Sequence, residues 1–194
     1  MLKSFVKLLS LLLIALCARI SSASAADSHA INTEKSSMTV HVFKSGVFSA
    51  FGHEHDIKAP IAEGTFNEDS PSVNLRVDAR QMRVIDHDVS EKDRDKIQET
   101  MLGPQVLDSE KYPAITFKST SIERLGDGKW VLHGELTLHG QTRPVKADIE
   151  GQNGHYRGSA EVKQKDFGIT PVAAGGGSVK VKNEVRIQFD IWGN

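Results

Sequence analysis

Between residues 130 and 139 every second side chain is apolar or absent. Trp130, Leu132, Gly134, Leu136 and Leu138 share one face, and Val131, His133, Glu135, Thr137 and His139 share the other. Successive side chains of a strand point to opposite sides, so this segment predicts a strand with one dry and one wet face. The alternation returns in Val73, Leu75, Val77 and Ala79 against Asn74, Arg76 and Asp78. It returns again in Val185, Ile187, Phe189 and Ile191 against Arg186, Gln188 and Asp190, and more briefly in Val145, Ala147 and Ile149. Turn-forming clusters separate these runs: Gly126-Asp127-Gly128, His139-Gly140-Gln141, Gly151-Gln152-Asn153-Gly154 and Ala174 to Ser178. Strands dry on one side only, at regular spacing, predict an all-β chain of about eight antiparallel strands, as a barrel or a sandwich.

Only one stretch has helical character. Asp88 to Met101 is rich in charge, offers Ser90 as an N-cap with Asp93 three residues on, and stops near Gly103-Pro104. Its apolar residues are few (Val89, Ile97 and Met101), which predicts a surface helix lying on the barrel or across one end.

The first residues read as an address. Lys3 and Lys7 precede Leu8 to Ala18, a mostly apolar run that is too short for the roughly 20 residues a membrane-spanning helix needs. Small residues follow, and Ala23-Ser24-Ala25 offers a cleavage site, so residues 1–25 are expected to be a secretory signal peptide and the protein periplasmic. Lipidation at Cys17 is not expected, because Leu16 stands where a small residue is needed. Cleavage would remove the single cysteine together with Lys3, Lys7 and Arg19, leaving a mildly acidic chain without disulfides. Such a balance disfavours nucleic acid and lasting attachment to anionic lipid, so membrane contact would be transient.

Residues that carry chemistry are few. There is no G-x-S-x-G, no phosphate-binding loop ending in Lys-Ser or Lys-Thr, and no H-E-x-x-H. Gly175-Gly176-Gly177-Ser178 has no helix after it and reads as a hairpin loop. Asp86-His87-Asp88, with Asp93 and Asp95, lacks the spacing of a calcium loop and reads as an acidic helix start. His53-Glu54-His55-Asp56 is the sharpest local feature. On a strand, His53 and His55 would share a face and could hold Zn²⁺ or Cu²⁺, given a third ligand such as His41, His87 or Asp86. The same residues frame an alternative, a hydrolase or isomerase using His53, Glu54 or Asp56 as acid or base. Phe43, Phe48, Phe51, Phe66, Phe117, Phe167, Phe189 and Trp130 fall in or beside strand patterns. An eight-stranded barrel is about wide enough to be filled by such side chains or to hold one small apolar ligand.

Four ordered segments carry a resemblance. Arg94-Asp95 with Val106-Leu107-Asp108-Ser109-Glu110-Lys111-Tyr112-Pro113-Ala114-Ile115-Thr116-Phe117 is one, and Gly134-Glu135-Leu136-Thr137 through Arg143-Pro144-Val145 is the second. The others are Lys165-Asp166-Phe167-Gly168-Ile169 and the closing strand Asn183 to Phe189, with Asn32 to Val42 similar to an opening strand. Together they resemble the YceI-like family of exported polyisoprenoid-binding proteins, over a domain placed at residues 31–194. The resemblance implies a lipocalin-like antiparallel β-barrel, an apolar tunnel for an isoprenoid or similar amphiphilic lipid, no catalysis, no cofactor and a tendency to form homodimers. Combined with the alternation, it points to Val40, Val42, Leu75, Val77, Phe117, Leu136, Leu138, Phe167, Ile169, Ile187 and Phe189 as ligand-lining. The chain departs from the family pattern at Phe51 to Asp56 and in a longer segment between Asp95 and Val106. A periplasmic metal-binding protein using His53 and His55 is the competing expectation.

Overall fold

A computed structural model of the 194-residue chain describes residues 28–45, 54–68, 72–174 and 179–194. The described chain is built almost wholly from strands. In order they are β1 (His29–Ala30), β2 (Ser37–Ser45), β3 (His55–Lys58), β4 (Ile61–Asn67), β5 (Ser72–Asp78) and β6 (Arg83–Val84). The helix α1 (Glu91–Leu102) follows. After it come β7 (Ala114–Gly126), β8 (Lys129–Leu138), β9 (Gln141–Gln152), β10 (His155–Lys163), β11 (Ala173–Ala174) and β12 (Val179–Trp192). Eight of these strands have seven residues or more, matching the expected number, and β1, β3, β6 and β11 are short additions.

The strands form one antiparallel sheet in the order β1-β4-β5-β7-β8-β9-β10-β12-β2-β3-β6, with β11 beside β12. The sheet curls on itself, and the segment around Ile31 closes the curl at one end. There Ile31 N–H donates to the Gly64 carbonyl at 2.9 Å on one side, and Asn32 N–H donates to the Trp192 carbonyl at 2.7 Å on the other. A bridge between Ile31 and Gly193 completes the join. The result is the lipocalin-like, curled antiparallel barrel that the alternation and the family resemblance anticipated.

Tight turns set the register. The β8–β9 turn places His139 at φ 50° and Gly140 at φ 72°, and the β9–β10 turn places Asn153 at φ 53° and Gly154 at φ 77°. Two successive positive φ values make the turn that matches the twist of paired strands, and glycine adopts them without steric cost. Because the register is fixed this way, the apolar faces stay in line across the sheet. Leu132 opposes Ala147, Ala147 lies level with Ala160, Ala160 opposes Ile187, and Ile187 opposes Val40.

Helix α1 begins three residues later than the sequence suggests but uses the cap that it offers. The Ser90 hydroxyl accepts from Asp93 N–H at 3.2 Å, and Gly103 N–H closes the last turn on the Glu99 carbonyl. The helix is tied to the edge strand β6: the Gln98 side chain accepts from Val84 N–H at 2.8 Å and donates to the Met82 carbonyl at 2.9 Å. Met101 and Leu107 bury against Ile57, Val77, Ala79, Met82 and Val84. So α1 lies across one end of the barrel, with its charged side in solvent.

Candidate functional site

The inner face of the sheet encloses a cavity of about 470 Å³. Its wall is the dry face of nearly every long strand: Val40 and Val42 from β2, Leu75 and Val77 from β5, Ile115 and Phe117 from β7. Leu132, Leu136 and Leu138 follow from β8, Val145, Ala147 and Ile149 from β9, and Ile187, Phe189 and Ile191 from β12. Two glycines on the same face make room for the rings. A Cβ on Gly134 would run into Phe117, and one on Gly158 would come within 2.6 Å of the Phe189 ring. Both phenyl groups thus occupy space that a larger side chain would fill.

The two ends differ in chemistry. At the end capped by α1, the wall is closed by Met82, Met101, Val106, Leu107 and Ile169. Gln164 and Thr116 are the polar wall residues toward this end, and Gln164 commits its side-chain N–H to the Lys182 carbonyl at 2.7 Å. At the other end the wall consists of Ile31, Phe66, Trp130 and Ile191 together with Asn67, Glu68, Gln152, Asn153 and Tyr156. The β9–β10 turn organises it. Gly154 N–H donates to Glu68 Oε1 at 2.9 Å, and the Tyr156 hydroxyl donates to the same oxygen at 2.5 Å. Phe66 and Trp130 contact the Tyr156 ring edge-on, at 5.6 and 5.7 Å between centroids. Burial, and then the bond to the Glu68 carboxylate, push the Tyr156 phenol above its ordinary range, so it stays a neutral hydroxyl at neutral pH.

Ten of the eleven residues expected to line a ligand chamber stand on this wall: Val40, Val42, Leu75, Val77, Phe117, Leu136, Leu138, Ile169, Ile187 and Phe189. Phe167 does not. The apparent alternation of Phe167 and Ile169 is broken by a 3₁₀ turn over Gln164–Phe167 and by Gly168 at φ 76°. The turn carries Phe167, only 1% exposed, out of the wall and into a cluster with Leu136, Val162, Ile169 and Val185. Tyr156 and Glu68 escaped sequence reasoning. Tyr156 sits between His155 and Arg157, which disguises β10, although Gly158, Ala160 and Val162 continue its face. Glu68 follows Asn67 in a polar stretch that reads as an ordinary turn.

His53 lies outside the described residues. His55, at the start of β3, donates from Nδ1 to Asp86 Oδ2 at 2.6 Å, and Asp56 N–H donates to the other oxygen of Asp86 at 2.7 Å. The Asp86 side chain is almost wholly buried, so its charge is compensated by these two donors. His41 is held between Asp56 Oδ1 at 2.6 Å and Gln188 Oε1 at 2.7 Å. His41 and Asp56 alternate with Val40, Val42 and Ile57, which places them on the outer face, away from the cavity. Among the described residues, no group of three or more His, Cys, Asp or Glu side chains gathers at metal-binding spacing.

Comparison with known proteins agrees with this architecture. Burkholderia cenocepacia BcnA superposes with a TM-score of 0.61 over 83% of this chain and 98% of its own, at 20% identity. A Campylobacter jejuni YCEI protein superposes at 0.52 over 72% of this chain and 81% of its own, at 15% identity. Both likenesses are of fold. In sequence, a UPF0312 protein of Shewanella sp. (strain W3-18-1) is 34% identical over 159 residues, 76% of this chain and 78% of the relative. A UPF0312 protein of Vibrio cholerae serotype O1 (strain ATCC 39315) is 32% identical over 127 residues; that match spans 58% of this chain and 63% of the relative's length. The YceI-like domain model matches residues 29–192, so the chain belongs to the YceI-like family.

Proposed function

We propose that this protein is an exported, non-catalytic carrier of an isoprenoid or a similarly apolar amphiphilic lipid, held inside the barrel. The observation that carries the reading is the cavity itself: about 470 Å³, walled from one end to the other chiefly by aliphatic and aromatic side chains. An isoprenoid tail offers methyl and methylene groups with no polar handle except its head. Each buried methylene contributes about 0.8 kcal/mol, so a wall of this kind binds by area, with weak discrimination among chain lengths. Export rests on the amino-terminal pattern of Lys3, Lys7, the apolar run and Ala23-Ser24-Ala25. Of the described residues in the 53–56 segment, His55 is spent on Asp86 and Asp56 on His41, and neither His55 nor Asp56 stands on the cavity wall.

Native mass spectrometry of the protein recovered from periplasmic extract, with solvent extraction and elemental analysis of the same sample, tests the proposal. A stoichiometric adduct of isoprenoid mass supports it. A lipid-free protein loaded with zinc or copper contradicts it and moves attention to His53 and His55.

A further inference from the structure

We infer that the chamber orients its ligand and selects the head group by charge. The tail lies toward α1, and the head, an uncharged or cationic hydrogen-bond donor such as an alcohol or amide, lies against Glu68 and Tyr156. Phosphate and other anionic heads are disfavoured. This deepens the carrier reading and rests on it.

Three observations carry the inference. The first is the polarity of the cavity: among the described residues the end beneath α1 is lined by Met101, Leu107 and Met82, whereas Glu68, Gln152, Asn153 and Tyr156 gather at the opposite end. The pairing register makes these true opposites. Asn67 pairs with Ser72, and Gln152 with His155, at one extremity of the strands, while Asp78 pairs with Ala114, and Leu138 with Gln141, at the other. Glu68 is exposed, so solvent reaches the polar extremity.

The second is the charge inventory. Among the described residues that wall the cavity, Glu68 is the sole charged side chain, and there is no Lys, Arg or His. A phosphate head would meet a carboxylate and no cation. Like charges a few ångströms apart repel, and more strongly in a partly dry site than in water. The nearby imidazole of His29 is turned onto the Phe66 ring, 5.6 Å between centroids.

The third is the hydrogen-bonding sense. Tyr156 O–H and Gly154 N–H both spend their protons on Glu68 Oε1. What this pair still presents is acceptor capacity, on Glu68 Oε2 and on the Tyr156 oxygen. An acceptor site is satisfied by a head that donates. A head that only accepts finds no donor in this pair and displaces water from it without replacing the hydrogen bonds, which penalises binding.

The test is a titration of the mature protein with two probes that share one tail, geranylgeraniol and geranylgeranyl phosphate, at neutral pH and below their aggregation concentrations. The alcohol is expected to bind roughly tenfold tighter or more than the phosphate. Glu68→Gln, at an exposed position, is expected to shrink that gap to about threefold, chiefly by tightening the phosphate, and Glu68→Lys to invert it. Equal affinities in the unaltered protein, or a gap that Glu68→Gln and Glu68→Lys leave unchanged, would overturn the head-group inference while the carrier reading stands. Failure of both probes to bind would overturn the two together.

Discussion

The two ends of the barrel obey opposite rules. Beneath α1, Met82, Met101 and Leu107 meet Ile57, Val77 and Val84 in a dry cluster, and the nearby polar groups are spent on backbone: Gln98 on Val84 and Met82, Gln164 on Lys182. Around the β9–β10 turn, Glu68 and Tyr156 share a hydrogen bond, face the chamber and keep acceptor capacity. The apolar end packs as part of the core, and the polar end is the feature on which the proposed orientation of an amphiphile rests. The contrast teaches that cavity walls and cavity ends answer to different pressures: the wall needs only apolar area, whereas the ends need one seal and one dipole.

This contrast can be broken deliberately. The largest effect is expected from Phe167→Ala, at about 3–5 kcal/mol of lost stability, because the ring is nearly fully buried among Leu136, Val162, Ile169 and Val185. Chemical denaturation should show the loss while the affinities for the alcohol-headed and phosphate-headed probes both stay unchanged. A weakening of both would mean that Phe167 reaches the ligand's tail. Met101→Ala, at the sealed end, is expected to cost about 2–5 kcal/mol and to weaken both probes alike, since it opens space at the tail. Ser90→Ala removes the helix cap and is expected to cost about 1 kcal/mol, read as a lower thermal midpoint without effect on the polar end.

The smallest effect is a pH dependence at the open end. The folded state holds the Tyr156 phenol above its unfolded value, so above about pH 10 the unfolded chain releases a proton that the folded chain keeps. The contribution is therefore complete below that pH and is lost progressively as pH rises from there through the higher folded value. Denaturation midpoints at pH 9 and 11 should fall less for Tyr156→Phe than for the unaltered protein. Only Tyr112 shares this chemistry in the chain, which keeps the comparison clean. An identical fall in the two proteins would show that folding does not hold the proton on the phenol.

The walls were legible in the sequence because little besides a half-buried strand keeps a period of two over five or more residues. Trp130 to Leu138 and Val185 to Ile191 announce their faces, and the turns at Gly140 and Gly154 announce their hairpins. The short strands β1, β3, β6 and β11 were not, since two to four residues complete at most two periods and are positioned by their partners. Phe167 was misplaced because its spacing from Ile169 imitates a strand, whereas the left-handed Gly168 between them makes a turn. The Glu68–Tyr156 pair was illegible for another reason. It joins residues 88 positions apart, and nothing in either neighbourhood signals the other. The histidines show the converse: a conspicuous local motif whose described member, His55, is oriented by the buried Asp86, a partner 31 residues away.

The most direct test of the central claim is a crystal structure of the mature protein with a C20 isoprenoid alcohol carrying bromine at the tail terminus, the bromine located by anomalous scattering. The predicted result is one bromine per chain inside the barrel, beside Met101 and Leu107, with the hydroxyl at Glu68 and Tyr156. A bromine outside the barrel would contradict the claim that the chamber is the lipid site, and one beside Glu68 would reverse the proposed orientation.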